Sequence, residues 1–505
     1  MTLRTSQIVF SLASVSALSL GLLLAVPGCN LATGGSKLSD PGLILSFAAF
    51  GEGARPLSGE LAILRPGSGP LVPVASGGSK KKVKPAQWTV DYIKEKELPE
   101  EVALGSGPGG RVVYGKLENG VPTGGPMHYE MVGDHWELRP IEGLTENDVT
   151  WDRKGEGYST KPFELAGGNV FHKAFWFEPA FGEPGILTIS ANMPMIKIWR
   201  EGADGWSSEL LFAAEVGNKE HRFRDIEVGD VDGDGQDELV MATHDRGKVF
   251  VLEQKADGLE AIEIANRDHA TFVHEIELGD VDGDGMDEIF TTPSEPNSMD
   301  GSHQAGQIER IDFEGGEWVI RNVENSETTH AKEILLADIE QDGQLELYSA
   351  MEGEGLAGLG GQGPSGASTQ IKRYDFTGAE SEGRVVTALP SDMCRFLNLG
   401  DIEGDGQLEI LASTRSAGIF RIFQSGGEWG QQSEVSALQS GGFEHSSVLL
   451  DIDGDGSDEL FVADDDNKRV LMWYWDEGRE RLRKVELLDR SDQDIYITWG
   501  VMPLR

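Results

Sequence analysis

Asp230-Val231-Asp232-Gly233-Asp234-Gly235-Gln236-Asp237-Glu238 is the stretch from which the rest of this chain can be read. Its nine-residue pattern returns at Asp280, Asp338, Asp401 and Asp451, so that the starts lie 50, 58, 63 and 50 residues apart. Each copy sets acids at its first, third, fifth and ninth positions and a glycine at its sixth. The acids are Asp230, Asp232, Asp234 and Glu238; Asp280, Asp282, Asp284 and Glu288; Asp338, Glu340, Asp342 and Glu346; Asp401, Glu403, Asp405 and Glu409; Asp451, Asp453, Asp455 and Glu459. Apolar runs flank every copy, for example Ile276-Glu277-Leu278 before and Leu239-Val240-Met241-Ala242 after. The acidic turn therefore joins two adjacent strands of one sheet. A unit of about 40 to 50 residues with four strands is the period of propeller blades.

Four like charges within nine residues repel strongly without a counter-ion. Alternate carboxylates on a tight turn suit a hard cation such as calcium, which takes six to eight oxygens. The glycine provides the backbone freedom that the sharp turn demands. The seventh position varies (Gln236, Met286, Gln344, Gln407, Ser457), as expected if its carbonyl is the ligand. The eighth varies too, which makes the ninth the expected closing ligand. Up to five calcium ions follow, with an acidic solvated turn as the alternative reading.

The segments Gly229-Asp230-Val231-Asp232-Gly233-Asp234-Gly235 and Gly279-Asp280-Val281-Asp282-Gly283-Asp284-Gly285 resemble FG-GAP/VCBS repeats, including those of the integrin α-chain propeller. The resemblance covers roughly residues 165–490. It implies an all-β β-propeller whose calcium loops join the innermost strand of each blade to the second. Two departures stand out: the ninth position is Glu rather than the family's usual Asp, and the Phe-Gly pair that names the repeat is absent.

Six complete blades are expected at about 165–217, 218–268, 269–326, 327–390, 391–440 and 441–490, the first with an inner hairpin whose metal loop is lost. Residues 494–504 read as an inner strand without outer ones, and 108–142 as outer strands without an inner one. Joining them gives a seventh, closing blade shared by the two chain ends, which removes exposed strand edges. The expected layout is then a leader at 1–28, a flexible Gly/Pro/Ser-rich linker at 29–107 and the propeller at 108–505.

Residues 1–28 open with Arg4 and an apolar run and end at Val26-Pro27-Gly28-Cys29, which resembles a bacterial lipobox with Cys29 as the lipidated residue. An uncleaved membrane anchor is the alternative. Either way the body is expected outside the cytoplasm, tethered to a membrane at the cell envelope. Acylation of Cys29 leaves Cys394 alone, so no intrachain disulfide is expected. The net charge is −43, and five calcium ions would still leave it about −33, which argues against a nucleic-acid partner.

A second regularity stands six residues before each acidic turn: Arg224, His274, Lys332, Arg395 and His445. These open the inner strands and are expected around one end of the central channel. An anion-binding ring is one reading; pairing with neighbouring carboxylates such as Asp225, Glu275 and Glu333 is the other. Trp473 and Trp475 are expected to pack between blades. No catalytic constellation is recognisable. The leading expectation is a calcium-bearing binding or adhesion module for a protein or saccharide at the cell surface. The rival is a carbohydrate-active lyase or hydrolase with a basic site at the channel mouth.

Overall fold

The structure is a computed structural model. It describes residues 41–51, 55–72, 85–94, 102–108, 112–132, 135–154, 157–158, 160–161, 171–190, 194–203, 205–213, 222–244, 246–256, 258–267, 271–296, 304–352, 368–415, 417–436, 446–492 and 495–504. The expected leader with Cys29, and His445, lie outside these residues.

The fold is an all-β β-propeller. Six consecutive meanders form four-stranded antiparallel sheets in which strand order follows chain order. Their innermost strands are Phe171–Phe177, Phe223–Gly229, Phe272–Gly279, His330–Ala337, Cys394–Gly400 and Ser447–Leu450. Second strands such as Glu238–Thr243 and Glu459–Asp464 are buried at every residue. Sheets cover both of their faces, so they read as unbroken apolar runs rather than alternating ones. The fourth strands sit at the rim and carry mostly exposed or half-buried residues, as in Glu317–Ser326. The turns at Gly315-Gly316 and Gly426-Gly427 join third to fourth strands, and all four glycines have positive φ.

The chain ends share one sheet, but not with the expected partners. Ile495–Pro503 pairs with Leu43–Gly51, followed outward by Arg55–Pro66 and Trp88–Lys94. The outer strands thus come from the segment read as a flexible linker. Residues 108–142, expected in that role, instead contribute Val112–Glu118, Val121–Val132 and His135–Pro140 to a separate six-stranded sheet that also takes in Val102–Ser106, Thr150–Trp151 and Thr160–Lys161. Apolar content decides the pairing. Leu43, Ile44, Leu45, Leu61, Ile63 and Leu64 are fully buried. Leu43, Leu45, Phe47 and Leu64 pack against Val448, Phe461, Val470 and Met472 of the preceding sheet. Two short apolar runs between Gly, Pro and Ser look like linker, yet they cover an edge that solvent could not.

Each innermost strand lies against the next, and Ile495–Pro503 lies against both Ser447–Leu450 and Phe171–Phe177. Among the described residues, the four-stranded sheets thus set their first strands side by side, with the acidic turns at one end of those strands and the basic positions at the other.

Candidate metal centres

The five acidic turns are the connections between first and second strands. In every case the residue before the first position pairs with the ninth: Gly229 with Glu238, Gly279 with Glu288, Ala337 with Glu346, Gly400 with Glu409 and Leu450 with Glu459. The ninth-position glutamates are therefore anchored in the sheet and buried. The first-position carboxylate organises the turn by accepting backbone hydrogen bonds. Asp280 takes them from Gly283 (2.6 Å) and Gly285 (2.9 Å), and Asp451 from Gly454 (2.8 Å) and Gly456 (3.1 Å). Sixth-position glycines all adopt left-handed φ, from 84° at Gly235 and Gly406 to 95° at Gly456. The fourth position does too, and in the third turn Gln341 takes it at 56° instead of a glycine. Seventh-position N–H groups donate to the fifth-position carboxylate, as Gln236 does to Asp234 at 2.8 Å and Ser457 to Asp455 at 2.9 Å.

Three turns bring their acids to a point. Asp280, Asp282, Asp284 and Glu288 each offer an oxygen within 4.8 Å of the others, as do Asp230, Asp232 and Asp234, and Asp451, Asp453 and Glu459. Calcium sits about 2.3–2.6 Å from its oxygens, so oxygens at these separations can share one ion, and the donors are all hard oxygens. Burial, then the neighbouring acids, raise the ninth-position glutamate in all five turns: Glu238, Glu288 and Glu346 up to about 8, Glu409 to about 7 and Glu459 to about 10. Such a turn keeps its full charge only beside a cation.

The turns at 338–346 and 401–409 do not converge in this way. Among the described residues, Glu340 and Glu346 are both held by Arg373, the latter at 2.8 Å. Glu403 and Glu409 are both held by Arg421, the latter at 3.4 Å.

The eighth position, dismissed on the sequence because it varies, links neighbouring turns. The Asp287 N–H donates to the Asp230 carbonyl and the Asp458 N–H to the Asp401 carbonyl, both at 2.8 Å. Asp458 also accepts the Asp401 N–H at 2.7 Å. A Cβ on Gly229 or Gly400 would meet the Asp287 or Asp458 carboxylate at 2.4 or 2.5 Å. The glycine before the turn makes room for the next sheet's aspartate. The signal was available as the co-occurrence of those two residues one sheet apart.

At the other end of the inner strands the basic residues meet carboxylates. Arg224 lies 3.6 Å from Glu275 across two sheets. Buried Glu352 gathers His330 (3.2 Å), Arg395 (3.5 Å) and Lys332 (3.9 Å). His274 is buried edge-on to His244 at 4.8 Å, and burial drives its pKa well down. Lys173 bridges Asp225, at 2.7 Å, and Glu227. The cavity there is bordered by Lys173, Arg224 and Arg395, but also by Asp225, Glu227, Glu275, Glu277 and Glu333. Burial raises Glu275, Glu277 and Glu333 well above the usual carboxylate range, with Asp225 and Glu227 adding to it. Carboxyl groups and cations are thus intermixed at this mouth. Cys394, at the start of its strand, is a fully buried thiol.

Residues 230–291, spanning the first two acidic turns, match the FG-GAP-like repeat. A search of curated proteins finds no match. Solved structures of low similarity include an Agrocybe aegerita lectin that recognises non-reducing terminal N-acetylglucosamine. It is 13% identical with a TM-score of 0.41, over 82% of this chain and 97% of that one. The periplasmic gluconolactonase of Pseudomonas aeruginosa is 14% identical with a TM-score of 0.39, over 74% and 98%. A Lactobacillus plantarum protein is 10% identical with a TM-score of 0.32, over 92% and 100%. At these TM-scores none of them bears on what this chain binds.

Proposed function

We propose that this chain is a calcium-binding propeller of seven blades, carried outside the cytoplasm on a membrane anchor, and that it acts as a binding or adhesion module at the cell envelope. The carrying observation is the convergence of carboxylate oxygens in the turns at 230, 280 and 451. Calcium supplies the positive charge there; the chain's own residues do the rest. Asp230, Asp280 and Asp451 shape the turn, and the ninth-position glutamates fix it to the sheet. The rigid assembly then presents its connections on the opposite face. Two long connections, after Ser294 and after Glu352, leave from that face, where Ser294 pairs with Phe272 and His330 with Glu352. Rigid sheets that display variable connections are a common basis for recognition. The expected ligand is a surface protein or saccharide, and the expected anchor is Cys29.

The test is binding of the labelled full-length chain to a glycan array and to envelope proteins, with calcium and with chelator. Saturable binding without turnover supports the reading. Degradation of an acidic polysaccharide would replace it with a carbohydrate-active enzyme working at the mixed-charge mouth.

A further inference from the structure

We infer that in two of the five acidic turns, at 338–346 and 401–409, a buried guanidinium stands in for the divalent cation, so that these turns close without metal. The inference rests on the calcium reading of the other turns. The register places the arginines alike. Arg373 lies opposite Tyr348 and Arg421 opposite Leu411, each partner two residues past its turn's ninth position. The matching residues behind the first and fifth turns are apolar, Val251 opposite Val240 and Met472 opposite Phe461.

Arg373 joins the third-position Glu340 to the ninth-position Glu346 and adds Asp375 at 2.7 Å. Arg421 joins Glu403 to Glu409 and adds Glu434 at 3.0 Å. Both arginines are buried, and the Arg421 guanidinium lies between Phe423 and Trp475, 5.4 and 5.7 Å from the ring centres. A buried guanidinium has to be paired, and its planar fork suits two carboxylates at once. The third and ninth acids are thereby taken out of the shell, leaving the first and fifth, too few for an ion that takes six to eight oxygens. In the third turn one Glu346 oxygen has no hydrogen-bond partner, whereas its counterparts in the other four turns accept the second-position N–H.

The second turn marks the boundary. Arg310 occupies the same register opposite Phe290 and reaches Asp282 (2.6 Å) and Glu288 (3.1 Å). Here the guanidinium contacts both acids, yet the shorter aspartate keeps its oxygen beside the others and the four stay together.

Native mass spectrometry of the full-length chain at millimolar calcium tests this. Asp230→Asn, Asp280→Asn and Asp451→Asn should each lose one bound ion, and Asp338→Asn and Asp401→Asn none. Loss of an ion from either of the last two overturns the inference and leaves the proposed function standing. A wild-type chain that binds no calcium sinks the proposed function, and melting in chelator then decides the inference. Arg373→Met and Arg421→Met should melt a few degrees below wild type there; unchanged melting would mean that the arginines do not neutralise their turns.

Discussion

One methylene separates Asp282 from Glu340: both meet an arginine, but of the two the aspartate keeps its oxygen beside those of its own turn. The second turn keeps both arrangements in reach. Removing its competitor, as in Arg310→Met, should tighten calcium at that site several-fold, read by calorimetric titration against wild type; the guanidinium no longer draws on Asp282 and Glu288. Space is as decisive as charge. In Gly400→Ala the new Cβ would meet the Asp458 carboxylate at 2.5 Å, and overpacking of this kind costs about 1–3 kcal/mol. Denaturant unfolding should show that loss, and Asp458→Ala in the same chain should recover part of it. The acid spacing of all five turns was legible in the sequence. The arginines were not: Arg373 lies 33 residues beyond Glu340 and Arg421 lies 18 beyond Glu403, on strands whose register only the fold reveals.

Innermost strands carry two kinds of chemistry, acidic turns at one end and buried ion pairs at the other. Burial alone would raise Glu352, but the Arg395 and Lys332 charges and the nearby His330 hold it down to about 2. A depressed carboxyl contributes stability that is fully present above its unfolded pKa near 4.5 and is lost as pH falls toward the folded value. Glu352→Gln should therefore cost roughly 3–5 kcal/mol near neutrality, because it removes the buried carboxylate that Lys332 and Arg395 face. That difference from wild type should shrink between about pH 4.5 and 2, as unfolding curves across the range would show. Strand existence was readable wherever an acidic turn marked the pairing. It was missed at Leu43–Gly51 and Arg55–Pro66, which no such turn announces and whose partner, Ile495–Pro503, stands at the far end of the chain. The basic positions were found by alignment; that carboxyl groups are intermixed with them required the sheets to be brought together.

Assembly of the whole molecule depends on edges and on charge. Deleting residues 41–94 would strip Ile495–Pro503 of its neighbour and uncover Val448, Phe461 and Met472. An open apolar edge recruits other chains. The truncated chain should elute from gel filtration as soluble aggregate, where the full chain keeps its edge covered. The net charge of −43 makes the acidic end the harder part of the fold to hold together. Each divalent site filled at a hundredfold excess over its dissociation constant adds about 2.7 kcal/mol to the folded state. Calorimetric melting of the full-length chain, in millimolar calcium and then in excess chelator, is the most direct test of that dependence. The midpoint should fall by several degrees in chelator and return when calcium is restored. Superimposable melts in the two conditions would contradict the account.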